Sequence, residues 1–354
     1  MSAPGTRTQA EADAFGHGER RRRTLLVYLL LAAALVGLLA LNLCVGSLKV
    51  PLADLARILS GADRTSTAAR VVWDIRMPRL VAASILGSAL ALAGLLLQTF
   101  FNNPIAGPYV LGVSSGAKLA VAAVMVLVLG SRGVMTSWML VLAAFAGSMA
   151  AMGFVLFVSR RIGSQGMLIV AGVMVGYLCG AMTDFVIAFA DDASIVNLRN
   201  WSQGSFSGIG WHDVAVMAAV TLPASASAFL LSKPMAAYQL GEAYAQSAGV
   251  DVRAFRTALV LLSSLLAACV TAFAGPISFV GIAVPHIVRR LLASSRPLVV
   301  VPAACLGGAV ACLFCDLVAR SAFAPTEVSV SAVTALFGAP VVIAMLVRRQ
   351  GRAG

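Results

Sequence analysis

The chain has 354 residues, 60% of them hydrophobic and only 11% charged, far more apolar than the roughly 45–50% of a soluble domain. A backbone crossing lipid must satisfy its own hydrogen bonds, so the expected class is all-α integral membrane protein, with room for about ten spans of some 20 residues. The net charge of +12 does not point to nucleic acid, because the arginines cluster at span ends (Arg20 to Arg23, Arg160 and Arg161, Arg253 and Arg256, Arg289 and Arg290, Arg348 and Arg349) with no basic stripe interleaved with aromatics.

Residues 1–23 are polar, aperiodic and end in four arginines, and read as a disordered cytoplasmic tail. Thr24 to Val45 exceeds the apolar region of a signal peptide, about 7–15 residues, and no small-residue cleavage site follows, so it is the first span, starting inside. Residues 46–75 place Leu52, Leu55, Ile58 and Leu59 at helical spacing and predict a short external helix. Arg76-Met-Pro-Arg79 then opens the second span, Leu80 to Phe101, and puts two arginines outside against the usual charge bias.

Asn102-Asn-Pro-Ile-Ala-Gly-Pro108 cannot continue a helix, and the chain resumes as Tyr109 to Leu129. Gly112-Val-Ser-Ser-Gly116 fits the pattern of a serine nucleophile, but no partner histidine and carboxylate accompany it; small residues at a close helix crossing are the better reading. Spans follow at Thr136 to Val158, Gly166 to Ala190 and His212 to Ser232, and Gly172, Gly176 and Gly180 make a small-residue stripe suited either to packing or to lining a pathway. Asp191 to Trp211 suits an external, partly helical cap with tryptophans at the interface.

Lys233 to Arg256 is the one long polar interlude between two spans in the second half, and reads as a cytoplasmic docking loop on the side of both termini. Four spans complete the chain, Thr257 to Phe273, Ile277 to Leu292, Leu298 to Ala319 and Val330 to Val347, giving one transmembrane domain over 24–349 and a cytoplasmic tail at 350–354. Asn103-Pro-Ile and Gly275-Pro-Ile interrupt spans that run in opposite directions. Such opposed, interrupted helices, an inverted-repeat-like core, are how transport proteins build a pathway near the bilayer midplane.

No phosphate loop, zinc-binding helix or carboxylate dyad is present, so the chain is not read as an enzyme, and no metal or cofactor is assigned to it. The cysteines, including Cys312 and Cys315 in a CxxC, lie in apolar spans without the second pair a metal site needs, and read as packing residues. Lys118, Asp184 and Asp316 are ionisable groups inside spans. Asp316 can pair with Arg320 four residues on, whereas Lys118 and Asp184 are left as a mutual pair, snorkelling groups or pathway residues, the last being what an ion-coupled carrier would use.

Seven motifs occur in order: Arg76-Met-Pro-Arg79, Asn103-Pro-Ile-Ala-x-Pro108, Leu111-Gly-Val-Ser-Ser-Gly-Ala117, Leu240-Gly-Glu-x-Ala-x-x-x-Gly-Val250, Ala274-Gly-Pro-Ile-x-Phe-Val-Gly281 with Pro285-His286, Asp316-x-x-Ala-Arg320, and Pro325-Thr-Glu-Val328 with Thr334-Ala-Leu-Phe-Gly-Ala-Pro340. Over residues 24–349 the chain resembles the FecCD-type permease subunits of type II ABC importers for iron-siderophores, haem and cobalamin. The resemblance implies a BtuC-like fold of ten helices in a bacterial cytoplasmic membrane. It implies as partners a second permease (an identical copy or a paralogue), two ATP-binding subunits below and a periplasmic or lipid-anchored solute-binding protein above.

It also implies roles. Arg76, Arg79 and Arg320 match external arginines that receive acidic residues of the binding protein. Leu240 to Val250, with Gly241, Glu242, Ala243, Ala245 and Gly249, matches the segment that couples to the ATPase. Asn103, Pro104 and Ile105 correspond to a gate near the cytoplasmic end, and Pro276 to the opposed break. The expected cargo is a ferric siderophore, with haem or cobalamin as alternatives. Ser331 and Lys118 depart from the family pattern, which commonly has glycine at the first and a small or apolar residue at the second.

Overall fold

The computed structural model describes residues 5–46, 50–63, 65–130, 137–159, 165–324 and 326–350. Arg160, Arg161, Pro325 and 351–354, all named above, lie outside the described residues. In chain order the helices are α1 (Gly5–Cys44), α2 (Leu52–Leu59), α3 (Thr67–Arg70), a π-turn (Val71–Arg76), α4 (Met77–Phe100), a 3-10 turn (Pro108–Leu111), α5 (Val113–Gly130), α6 (Ser137–Ser159), α7 (Gln165–Ile187), α8 (Asp192–Ser202), α9 (Trp211–Leu230), α10 (Ser232–Gln239), α11 (Glu242–Ser247), α12 (Val252–Ala274), α13 (Val280–Leu292), α14 (Pro297–Ser321) and α15 (Val330–Gln350).

α1 begins at Gly5, so the segment expected to be a disordered tail continues the helix of the first span. Its Ala, Gln, Glu and Arg residues are good helix formers, and from Gly5 onward no proline interrupts the chain until Pro51. The external stretch contains α2, which buries Leu55 and Ile58, and the cap at 191–211 contains α8.

Among the described residues, eight helices are long and apolar enough to cross a membrane. The other two expected spans are short because each follows a break: α5 starts only at Val113, and α13 spans 13 residues, about 20 Å against a hydrocarbon thickness of some 30 Å. α4 is the axis of the fold, with 78% of its apolar stretch buried, against 28% in α7, α9 and α15 and 6% in α1. Its sequence, rich in Ala, Gly and Leu, lets neighbours approach closely. A Cβ on Gly87 would sit 2.4 Å from the Gly308 carbonyl oxygen of α14, and one on Gly94 would sit 1.7 Å from the Gly281 oxygen of α13. Ser88 adds a hydroxyl bond to the Cys305 carbonyl of α14 at 2.8 Å, and Ser263 of α12 bonds the Ala93 carbonyl of α4 at 2.9 Å.

Arginines tie the helix ends. On the face where α1 begins, Arg23 donates to the Leu291 and Arg290 carbonyls at 2.8 and 3.1 Å, closing the C-terminus of α13. On the opposite, far face, Arg76 and Arg320 donate to the Leu43 and Asn42 carbonyls, orphan acceptors at the end of α1. Arg79 meets the fully buried Asp316 of α14 through three hydrogen bonds of 2.8–3.2 Å, and Arg320 lies 3.8 Å from the same carboxylate. The expected Asp316–Arg320 pair is therefore present, but the closer partner comes from 237 residues away.

Gly94→Ala should lower stability by about 1–3 kcal/mol, because backbone blocks the new methyl. Gly180→Ala, with nothing within 4 Å, should change it by less than about 0.5 kcal/mol. Thermal unfolding of the two variants in detergent compares them, and equal effects would contradict the packing. Asp316→Ala should cost about 3–5 kcal/mol by leaving Arg79 and Arg320 facing each other without their shared acid, a loss readable in the same assay.

Candidate functional site

The two Pro-Ile breaks come together. Gly107 and Pro108 lie against Ile282 and Gly281, and the Tyr109 hydroxyl is 3.4 Å from the Ile277 amide. Leu90, Gly107 to Tyr109, Ile277 to Phe279, Gly281 and Ile282 enclose a cavity of about 200 Å³ between them. A broken backbone is tolerated at membrane depth only where protein or a cavity satisfies its polar groups, and bonds from other elements hold the second break and its flanks. The Ser205 amide donates to the Ala274 carbonyl at 2.9 Å, the Ser331 hydroxyl to Pro276 at 2.5 Å, and the Gln98 amide to Ile282 at 3.1 Å. Gly275 turns at φ +73°, and Phe279 takes φ +64° despite its side chain. Gly338 of α15 leaves room for it, since a Cβ there would come within 2.4 Å of the Phe279 Cβ.

At the α1-start face, the first break and the polar loop share a hollow of about 640 Å³, lined by Asn102 to Pro104, Gln239 to Glu242, Gln98, Arg256 and Arg289 among others. Asn103 folds back on itself, its side chain accepting from the Ile105 amide at 3.2 Å. Arg289 donates to Gln98 at 2.9 Å, so one side chain joins the hollow to the carbonyl of Ile282 in the first turn of α13, just after the second break. Gly241 sits at φ +121°, a conformation that side chains resist, and connects α10 to α11. Leu240, Gly241, Glu242, Ala243 and Gly249 are exposed, Ala245 is buried and Val250 is half-buried. Glu242 accepts from Arg256 at 2.9 Å, an intrachain partner in addition to the external one expected for it.

The three far-face arginines lie close together, but their side chains are spent within the chain: Arg76 is 5% exposed, and the side chains of Arg79 and Arg320 are 11% and 9% exposed. Glu327, on the loop between α14 and α15, closes the group with two bonds to Arg79 of 3.0 and 3.3 Å, and is the exposed member at 45%.

Gly172 and Gly176 face Gly112 and Ser115 across the start of α5, while Gly180 faces open space, so the stripe packs at one end only. Gly116 meets Gly147 of α6 backbone to backbone, the crossing expected of the Gly112–Gly116 string. Lys118 is half-buried and Asp184 exposed, and no ion pair joins them among the described residues. Cys312 packs against Gly87, and all six cysteines are free. Sequence reasoning missed Glu327, Gln98 and Arg289 as working residues and treated Ser331 only as a departure; its hydroxyl in fact bonds the break at Pro276.

The FecCD transport family model matches residues 30–348. The vitamin B12 import system permease BtuC of Klebsiella pneumoniae is 34% identical over 336 residues, covering 95% of this chain and 97% of that protein. The BtuC permease of Escherichia coli O127:H6 is 34% identical over 330 residues, covering 93% and 97%. Among solved structures, an inward-facing conformation of a metal-chelate type ABC transporter superposes with a TM-score of 0.80 at 27% identity, covering 91% of this chain and 99% of that one. With its all-helical fold and paired breaks, the chain belongs to the FecCD transport family and is a multi-pass ABC importer permease of the BtuC type.

Proposed function

We propose that this chain, beside a second permease subunit, forms the pathway of an ATP-driven importer for a bulky metal chelate, and that it serves as a transport subunit while separate ATP-binding partners hydrolyse ATP. The observation that carries this reading is the shared hollow. Leu240, Gly241 and Glu242, the exposed start of the Leu240 to Val250 segment, border the same space as Asn103 and Pro104 of the first break. A push on that segment from an ATPase reaches the gate across the shared hollow and is passed by Arg289 and Gln98 to the start of α13, next to the second break.

The face carrying Arg20 to Arg23, α10 and α11 is then cytoplasmic, with both termini, in a bacterial inner membrane. The solute-binding protein docks on the opposite face, at the corner of Arg76, Arg79 and Arg320. The second permease, identical or paralogous, covers the exposed apolar side of α7, where Met167, Val170, Met174, Tyr177 and Phe185 stand more than half exposed. Asp184 lies on that helix and is exposed, which suits a watered seam rather than lipid.

Within the chelate class we assign a ferric siderophore, on the charged groups Lys118 and Asp184 in spans that the family keeps neutral. A second reading, cobalamin, is favoured by relatives named as vitamin B12 permeases. Uptake into proteoliposomes holding the chain with its ATPase and binding protein separates the two, using ferric siderophores, haem and cobalamin as cargo. Lys118→Ala should shift preference among ferric chelates of different charge, and an unchanged preference would remove Lys118 from the pathway. Glu242→Arg, which breaks the Arg256 pair and reverses charge in the coupling segment, should reduce uptake at least tenfold while the complex still assembles. Uptake that needs no ATP and follows a proton gradient would instead identify an ion-coupled carrier.

A further inference from the structure

Two carboxylates share the Arg79 guanidinium, and they are not equivalent. Asp316 is fully buried and takes Nε and one Nη edge at 2.8–3.2 Å. Glu327 holds the remaining Nη1 position at 3.0 Å, with a longer bond of 3.3 Å to Nη2, from a side chain 45% exposed. The first pair is part of the helix packing. The second lies at the surface, where an ion pair is worth a factor of no more than about five in equilibrium.

We propose that Glu327 is a stand-in for a partner's acid. When a solute-binding protein docks, its carboxylate displaces Glu327 from the outer edge of Arg79, and Arg79 never gives up Asp316. This rests on the reading that the arginine corner receives such a protein. The exchange is balanced bond for bond, because the guanidinium loses two hydrogen bonds to one carboxylate and regains them from another. It also sets the charge that the partner meets: three arginines stand against two acids while Glu327 is in place, and against one once it swings out.

The loop that carries Glu327 is placed to pass the exchange on. The Val328 amide donates to Ala319 at 2.8 Å and the Val330 amide to Gly204 at 3.2 Å, and Ser331 bonds Pro276 in the break. Phe323, 69% exposed on the same loop, gives the partner an apolar contact beside the charge. Displacing Glu327 therefore tugs on a chain that is bonded to the break four residues later.

The test measures binding of the solute-binding protein of the same system to the intact transporter in nanodiscs, at low and high salt. Glu327→Gln keeps shape and hydrogen bonding but removes the competing charge. It should tighten binding about two- to fivefold, through faster association, with a gain that shrinks as salt rises. Glu327→Asp, which withdraws the same charge by one methylene, should move the same way by less. Arg79→Lys keeps a cation opposite Asp316 but lacks the fork for a second acid; it should weaken binding and erase the gain from Glu327→Gln. If Arg79→Lys weakens binding while Glu327→Gln leaves it unchanged or poorer, the stand-in role is wrong and the docking reading survives. If Arg79→Lys binds like the parent, the docking reading falls and this proposal with it.

Discussion

The structure depends on keeping broken backbone satisfied inside an apolar protein. A continuous helix carries its own hydrogen bonds through lipid, whereas a break exposes donors and acceptors that cost several kcal/mol each if left alone. Here the two breaks solve the problem jointly. The Tyr109 hydroxyl of one lies beside the Ile277 amide of the other, and Gln98, Ser205 and Ser331 donate to the Ile282, Ala274 and Pro276 carbonyls. Pro285 sharpens the need: it has no N–H to offer the Gly281 carbonyl four residues back, and the Gln98 side chain stands 3.5 Å from that oxygen.

Glycine makes those solutions reachable. Gln98 meets the start of α13 because Gly94, one turn away, lets α4 touch the Gly281 backbone, and α14 closes on the other side through Gly87 and Gly308. α4 thus combines close backbone approach at its glycines with fully buried leucines such as Leu86, Leu90 and Leu96, and close approach suits helices that have little hydrophobic drive to associate in lipid.

Much of this was legible in the sequence. Class, span order, the two breaks and the polar loop all follow from apolar length and from proline and glycine, which act over a few residues and leave a local trace. The starts of α5 and α13 were harder. Tyr109 to Leu129 and Ile277 to Leu292 read as ordinary spans, because apolar composition does not distinguish an extended segment buried in protein from the first turn of a helix. The charge network was the least legible. Asp316 has an arginine four residues away, the local rule finds it, and the stronger partner lies on α4, where only the folded chain brings it. Ser331 illustrates the same limit, since a hydroxyl in place of glycine has no meaning until Pro276 is known to lie within 2.5 Å.

These long-range contacts fall at both ends of one element. From the α1-start face, Arg289 and Gln98 reach the carbonyl of Ile282; from the far face, the loop after α14 reaches Pro276 through Ser331. The run from Gly275 to Phe279 contains the second of those points and stops three residues short of the first; it lies between α12 and α13 and takes bonds from other elements, the Tyr109 and Ser331 hydroxyls among them. A segment held by borrowed bonds changes conformation more readily than a helix, because each bond can be exchanged separately without unwinding a cooperative turn. The left-handed Phe279 against Gly338 is where such a change meets steric resistance, so motion of α15 and a change at the break are bound together. Contacts from opposite faces thus bracket the same break, one arriving through Gln98 at the end of α4 and the other through the loop after α14.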